Sequence, residues 1–242
     1  MPNRARILVV LTNHSAYPSR PDRTGLWLAE LTHFLDIVDV AGYDSDFVSP
    51  HGGPVPLDER SLGWLYLNNA MREHLGDPAF IASLRNTKAA AQVDPADYAA
   101  IYYAGGHGTM WDFCDSASLT KLGERIYRQG GVVSAVCHGV AGLLDLKDED
   151  GRPLVAGRKV TGFSNSEEWL SGLKSQVPFL LEDELIARGA HYSKAWLPFT
   201  SFVVVDGRIA TGQNPGSSKA IAKAVVALLA ERPLVKEGPP ES

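Results

Sequence analysis

The sequence has no basic block and no long apolar run. Its 23 Lys and Arg face 28 Asp and Glu, for a net charge of −5, and no segment concentrates positive charge. That argues against nucleic acid as a partner. No stretch approaches the ~18 apolar residues that a membrane-spanning helix needs. The apolar run Ile7–Leu11 is too short for a secretory leader and is better read as a first strand. Cysteine is scarce as well. Cys114 and Cys137 are the whole complement, with no Cys-x-x-Cys pair and no disulfide framework, which suits a reducing cytoplasm. No Gly-x-Gly-x-x-Gly is present, and no glycine loop runs into Lys-Ser/Thr, so no nucleotide loop is expected. No Cys/His cluster has metal-ligand spacing. Neither a metal nor an organic cofactor is expected. Internal repeats and low-complexity linkers are missing too.

What remains is an alternation of strands and helices along 242 residues. β-Branched or apolar runs at 6–11, 43–49, 98–104, 132–136 and 158–163 read as strands, the first as a buried parallel strand. Asp206-Gly207, between 202–205 and 208–211, signals a hairpin. Helical spacing covers Thr24–Val38, 116–129, the run after Cys137 to about Leu146, Val177–Arg188 and 220–229. Residues 57–95 read as helical and polar, broken at Gly76-Asp77-Pro78 and Asp94-Pro95. Asp77 is the N-cap and Pro78 the first residue of a helix to about Asn86, and Asn214-Pro215 repeats this pairing before the last helix. The expectation is one α/β domain over 1–232, a doubly wound, mostly parallel sheet between helices with a few antiparallel additions. A frayed tail is expected over 233–242.

The stretch Val132–Gly142 stands out. A small, apolar strand ends at Cys137, and His138-Gly139 follow at once. This resembles the strand-to-helix corner of a nucleophile elbow, with small Ala135 and Gly139 on either side. A helix N-terminus aimed at the sulfur is expected to lower the thiol pKa and favour the thiolate. The competing reading is an inert buried cysteine. Trp27, Leu31, Phe34 and Val38 form a stripe on the first helix, and Glu30 falls on it. A carboxyl on an inward face has a raised pKa, as a proton-shuttling base needs, unless it reaches water at the stripe's edge. Gly105-Gly106-His107-Gly108 follows the 98–104 strand. Such glycines leave backbone N–H groups free to face a ligand, or simply make a tight turn. Ser164 with Glu167 and Glu168 looks like a helix cap, and one of those acids is in a position to orient His138. His14, just past the first strand, either lines a site or lies in a solvated loop.

These motifs occur in one order: Glu30, Tyr103–Gly108, Ala135–Gly139, Thr161–Glu168, Val177–Glu182 and Asp206–Pro215. Over residues 5 to about 230 the chain resembles the ThiJ/PfpI superfamily, whose fold is flavodoxin-like and class I glutamine-amidotransferase-like. Within it, the chain looks most like the glutathione-independent glyoxalase III branch, which includes heat-shock chaperone members.

The resemblance implies roles. Cys137 would be the nucleophile, His138 its histidine and Glu168 the third member of a triad, with Glu167 adjacent as the alternative. Glu30 would hydrogen-bond the cysteine. The N–H groups of Gly106 and His138 would form an oxyanion hole, and Gly105 and His107 would border the substrate. Methylglyoxal or a related 2-oxoaldehyde would be converted to a 2-hydroxy acid through a hemithioacetal on Cys137. Relatives of this kind are commonly homodimers. The alternatives are an amide hydrolase or deglycase of the same superfamily, and a stress-response holdase or oxidation sensor. A glutaminase is disfavoured, because no His-x-Glu occurs in the last third and His191 runs into Tyr192-Ser193.

Overall fold

A computed structural model describes residues 4–231. The tail expected to fray, 233–242, lies outside the described residues. The chain runs β1 (Arg6–Val10), α1 (Leu28–Val40), β2 (Asp44–Ser49), α2 (Asn69–Gly76), α3 (Pro78–Arg85) and β3 (Lys88–Ala89). It continues with β4 (Tyr98–Tyr103), α4 (Thr109–Asp112), α5 (Ala117–Arg128), β5 (Val132–Val136), β6 (Lys159–Val160) and α6 (Asn165–Leu170). Then come α7 (Leu181–Ala187), β7 (His191–Tyr192), β8 (Val203–Asp206), β9 (Ile209–Gly212) and α8 (Ser218–Ala230).

Seven strands form one sheet in the order β3-β2-β1-β4-β5-β9-β8. All neighbours are parallel except β8, which pairs antiparallel with β9 through the Asp206-Gly207 turn. Gly207 takes φ +58° there, the left-handed conformation that glycine adopts without strain. The central strands are buried on both faces, which is why β5 is apolar or small throughout and β1 is apolar from Ile7 on. Tyr102 and Tyr103 show the two layers. Tyr102 stacks on Phe34 of α1 at 3.7 Å between centroids, while the Tyr103 hydroxyl reaches the Leu119 carbonyl of α5. Successive strand residues point to opposite faces, so α1 and α5 cover opposite sides. Helices α1 and α8 pack side by side. Between β1 and β4 the winding reverses direction, which is where such sheets open a crevice at their carboxyl ends. Among the described residues no helix is long and apolar enough to cross a membrane.

Several element boundaries differ from the sequence expectation. The first helix begins at Leu28, not Thr24. Residues 24–27 are instead tied down as extended chain: Leu26 N–H bonds Pro56 O and Trp27 N–H bonds Gly105 O. Gly25 is needed there, since a Cβ would stand 2.2 Å from Pro56 O. The 57–95 segment holds α2 and α3, with Asp77 accepting the Ala79 N–H as expected of a cap. It also holds a single helical turn, Glu59–Leu62, and the two-residue edge strand β3, too short to show alternation. The expected strand 158–163 shrinks to β6, which pairs with β7 away from the main sheet. The helix expected over 177–188 starts only at Leu181, after turns and bends through 174–179. Past Cys137 the chain makes a tight 3-10 helix, Cys137–Leu143. Gly139 and Gly142 let it lie against β4, since a Cβ on either would be 2.4 Å from Tyr103 atoms.

Candidate active site

The carboxyl ends of β4 and β5 bring the candidate residues together. Cys137 sits at the corner after β5 with φ +56°, a conformation that a non-glycine residue holds only under constraint. Its side chain is enclosed, with 3% of the residue exposed. Beneath it lies Gly105, and a Cβ there would be 2.5 Å from Glu30 Oε2 and 3.0 Å from Cys137 Cβ. Glu30, in the first turn of α1, is fully buried. Its Oε2 accepts the Gly105 N–H at 2.8 Å, and its Oε1 has no hydrogen-bond partner. Burial pushes the carboxyl up to about 8, against the downward pull of Cys137 and the Gly105 N–H.

The expected low-pKa thiolate is not what the structure favours. Burial, and then the neighbouring Glu30 charge, push the Cys137 thiol well above its ordinary value. The His138 backbone N–H pulls the other way and does not prevail. The helix-end argument fails because the turn after Cys137 is a short 3-10 helix in a dry setting, where desolvation dominates. At neutral pH the resting pair is therefore a thiol beside a neutral carboxylic acid.

Two buried histidines share one carboxylate. His138 Nε2 lies 2.7 Å from Glu168 Oε2, and His107 Nε2 lies 2.9 Å from Glu168 Oε1. His107 Nδ1 lies 3.0 Å from Arg60 Nη2. An arginine N–H only donates, so Nδ1 must accept and His107 must carry its proton on Nε2, pointing at Glu168. Burial, and then the neighbouring His138 ring, push His107 down to about 4, so it is neutral at pH 7. Burial alone would raise Glu168, but the His138 and His107 imidazoles bonded to it hold it well below the usual carboxylate range. An ionised Glu168 fixes the His138 proton on Nε2. The lone pair of His138 Nδ1 then faces Cys137 Sγ at 3.4 Å.

Glu167, next in the chain, is turned elsewhere. With Ser164 it forms the capping box of α6, and its Oε1 accepts the Phe199 N–H and the Asn214 amide. Gly106 takes φ +110°, and its N–H makes no bond within the described protein. With the His138 N–H it borders the cavity above Cys137. Gly105 does not line that cavity, since its N–H is given to Glu30. His14 lies outside it too, stacked on Trp111 at 4.6 Å.

Sequence reasoning missed Arg60 and Asp58. Asp58 is buried and caps its own turn, accepting from the Arg60 backbone, the Arg60 guanidinium and Thr24. Arg60 lies 47 residues before the histidine it serves, and nothing in Asp58-Glu59-Arg60 marks it. His107, His138 and Glu168 offer three ligand atoms within 4.8 Å of one another. A cation there would displace both Nε2 protons and stand close to the Arg60 guanidinium, so the donor set works against its own electrostatics.

The cavity over Cys137 has a volume of about 750 Å³. A DJ-1/PfpI family model matches residues 28–228, which contain Glu30, Arg60, Gly106, His107, Cys137, His138 and Glu168. The chain belongs to the DJ-1/PfpI family. Among its relatives in that family is "Glyoxalase 3" of Candida albicans, 33% identical over 92% of this chain and 97% of the relative. Another is a "Glutathione-independent glyoxalase" of Saccharomyces cerevisiae, 34% identical over 90% of this chain and 94% of the relative. The crystal structure of glyoxalase III from Candida albicans superposes with a TM-score of 0.86 at 33% identity, covering 93% of this chain and 97% of that one. The seven-stranded sheet and the cysteine at its strand end are thus those of a DJ-1/PfpI member.

Proposed function

We propose that the protein is a glutathione-independent glyoxalase, a lyase that converts 2-oxoaldehydes such as methylglyoxal to 2-hydroxy acids. The observation that carries this reading is a buried thiol set between two different proton carriers. Glu30 lies on one side and the His138–Glu168 pair on the other. An isomerising oxidoreduction needs both: one group to free the nucleophile, another to move a proton between adjacent carbons. The glyoxalase names of the relatives agree with it.

His138 Nδ1 takes the Cys137 proton, and Glu168 stabilises the imidazolium. The thiolate adds to the aldehyde carbon, and the imidazolium returns its proton to the resulting oxyanion, which gives a hemithioacetal and leaves His138 neutral. Its oxygen sits on the N–H groups of Gly106 and His138, each worth about 3 kcal/mol in acyl-type oxyanion sites. In the fraction of enzyme whose Glu30 has given up its proton, the carboxylate removes the proton from C1 and returns it at C2 through an enediol. The C1–sulfur bond is then a thioester. Water activated by His138 hydrolyses it, releasing the 2-hydroxy acid and the thiol.

An oxidation sensor needs an exposed, ionised thiol, and Cys137 is enclosed with a raised pKa. The test is turnover of methylglyoxal to lactate in the absence of glutathione. Wild type is expected to make lactate and Cys137→Ala none. A wild type that makes no lactate sinks the reading.

A further inference from the structure

The cavity is too large and too apolar for the smallest substrate of this reaction class. Methylglyoxal has five non-hydrogen atoms, so at about the volume of one water per atom it fills ~150 Å³. The cavity holds about 750 Å³. Cys137, His138, Gly106 and Arg60 make its polar floor, and His33, Ser171 and Asn214 add polar groups to a lining that is otherwise mostly apolar. Trp27 and Tyr66 line it as an edge-to-face pair at 5.2 Å, and Leu170 lines it together with Phe163 and Phe199, whose rings lie 6.2 Å apart. Tyr66 and Leu170, at the mouth, remain 55% and 52% exposed. Trp64 and Trp169 stand beside them in the chain and are also largely exposed. A mostly apolar lining leading from a reactive floor is how a site selects an apolar side chain.

Resting on the glyoxalase reading above, we propose that the preferred substrates are 2-oxoaldehydes carrying a bulky apolar substituent at C2, branched alkyl or aromatic. The aldehyde sits over Cys137 and the substituent lies against Tyr66 and Leu170. The chemistry is unchanged by the substituent. R–CO–CHO plus one water gives R–CHOH–COOH. The C–S bond formed on addition breaks on hydrolysis, C1 is oxidised, and C2 is reduced by the proton and electron pair that C1 gives up. No hydrogen on the substituent takes part, so branching and aromaticity are tolerated.

The experiment compares kcat/KM for methylglyoxal and isobutylglyoxal, following lactate and the branched 2-hydroxy acid, in wild type, Leu170→Asn and Tyr66→Ala. Wild type is expected to favour isobutylglyoxal by about tenfold or more, the scale on which apolar pockets discriminate. Each variant is expected to lose most of that ratio, through KM more than kcat. Equal or better use of methylglyoxal by wild type overturns the size preference and leaves the glyoxalase reading standing. Equal losses on both substrates in the variants overturn the assignment of those two residues. No turnover of either aldehyde overturns the glyoxalase reading and this inference with it.

Discussion

Arg60 and His107 are joined by one hydrogen bond, Nη2 to Nδ1 at 3.0 Å, and its direction is fixed by chemistry. The arginine can only donate. That choice propagates: His107 donates to Glu168, Glu168 stays ionised, His138 keeps its proton on Nε2, and its lone pair meets the thiol. Arg60 is itself held by Asp58 and Tyr17.

Nitrogen NMR on the wild type is expected to show His107 as the Nε2–H tautomer between about pH 5.5 and 8, since its pKa is pushed down to about 4. Arg60→Gln, which no longer offers a fixed cation, is expected to mix the tautomers and slow turnover by up to ~100-fold, with a smaller change in KM. Arg60→Lys keeps a charge beside Asp58 and is expected to fall between. A wild-type spectrum with Nδ1 protonated would refute the relay.

Glu167 and Glu168 differ by one residue and are expected to fail in different ways. Glu168→Gln places an amide where two imidazole N–H groups need acceptors, so one histidine must turn its proton away. Turnover is expected to slow by about 100-fold or more, comparable to the loss of an orienting acid in other triads. Glu167→Gln disturbs the α6 cap and the bonds to Phe199 and Asn214. It is expected to cost about 1–3 kcal/mol of stability with a modest effect on turnover. Thermal melts and steady-state kinetics on both variants give the comparison. A Glu167→Gln enzyme that is folded, stable and inactive would reverse the assignment.

Two glycines with left-handed φ separate strain from steric blockage. Gly53 has φ +77° and nothing within 4 Å of a would-be Cβ. Gly53→Ala is expected to cost about 1–3 kcal/mol and leave the active site alone. Gly106 has φ +110°, and a Cβ would fall 2.1 Å from Gly25 O and 2.5 Å from Trp27 N. Both obstacles are backbone, so no rotamer relieves them. Gly106→Ala is expected to destabilise by more than the Gly53 variant and to abolish activity by moving the oxyanion-site N–H. Circular-dichroism melts with lactate assays decide it. A Gly106→Ala protein with wild-type turnover would remove Gly106 from the oxyanion site.

The sequence shows those parts of the site that rest on local pattern. Cys137 is legible because a buried strand must end somewhere, and a Cys-His-Gly end is unusual. Glu30 is legible because a charge on an apolar stripe conflicts with its helix. Asp77-Pro78 marks a helix start because both residues act within one turn. Arg60 is not legible, since its partner His107 lies 47 positions away and only the packed sheet brings them together. The choice between Glu167 and Glu168 is also beyond the pattern: neighbours on a helix point about 100° apart, and which one faces inward depends on the cap. The thiol's protonation could not be read because a helix end and burial act in opposite directions, and only the structure shows the sulfur to be enclosed.

Burying Glu30 ties stability and activity to pH in opposite directions. In the folded protein its pKa rises from an ordinary 4.5 to about 8. Below about pH 4.5 both folded and unfolded chains hold the proton, and the neutral acid's contribution to stability is fully present. Between about 4.5 and 8 the unfolded chain gives its proton up while the folded chain keeps it, so stability falls as pH rises. Above about 8 the contribution is gone, a loss of as much as ~5 kcal/mol across the window if nothing relaxes. Glu30→Gln cannot ionise, so the Tm advantage of this variant over wild type is expected to grow from about pH 5 to about pH 8 and to level off above that. Activity moves the other way. The reactive form of the Cys137–Glu30 pair has lost one proton, so wild-type kcat/KM is expected to rise with pH to a plateau near an apparent pKa of about 8 that belongs to the pair. Glu30→Gln lacks the base and is expected to lose about 10²–10⁴-fold at every pH. Parallel melts and pH–rate profiles on the two proteins test both halves. A pH-independent Tm difference would show that Glu30 is ionised throughout, and with it the case for a neutral acid beside the thiol would fall.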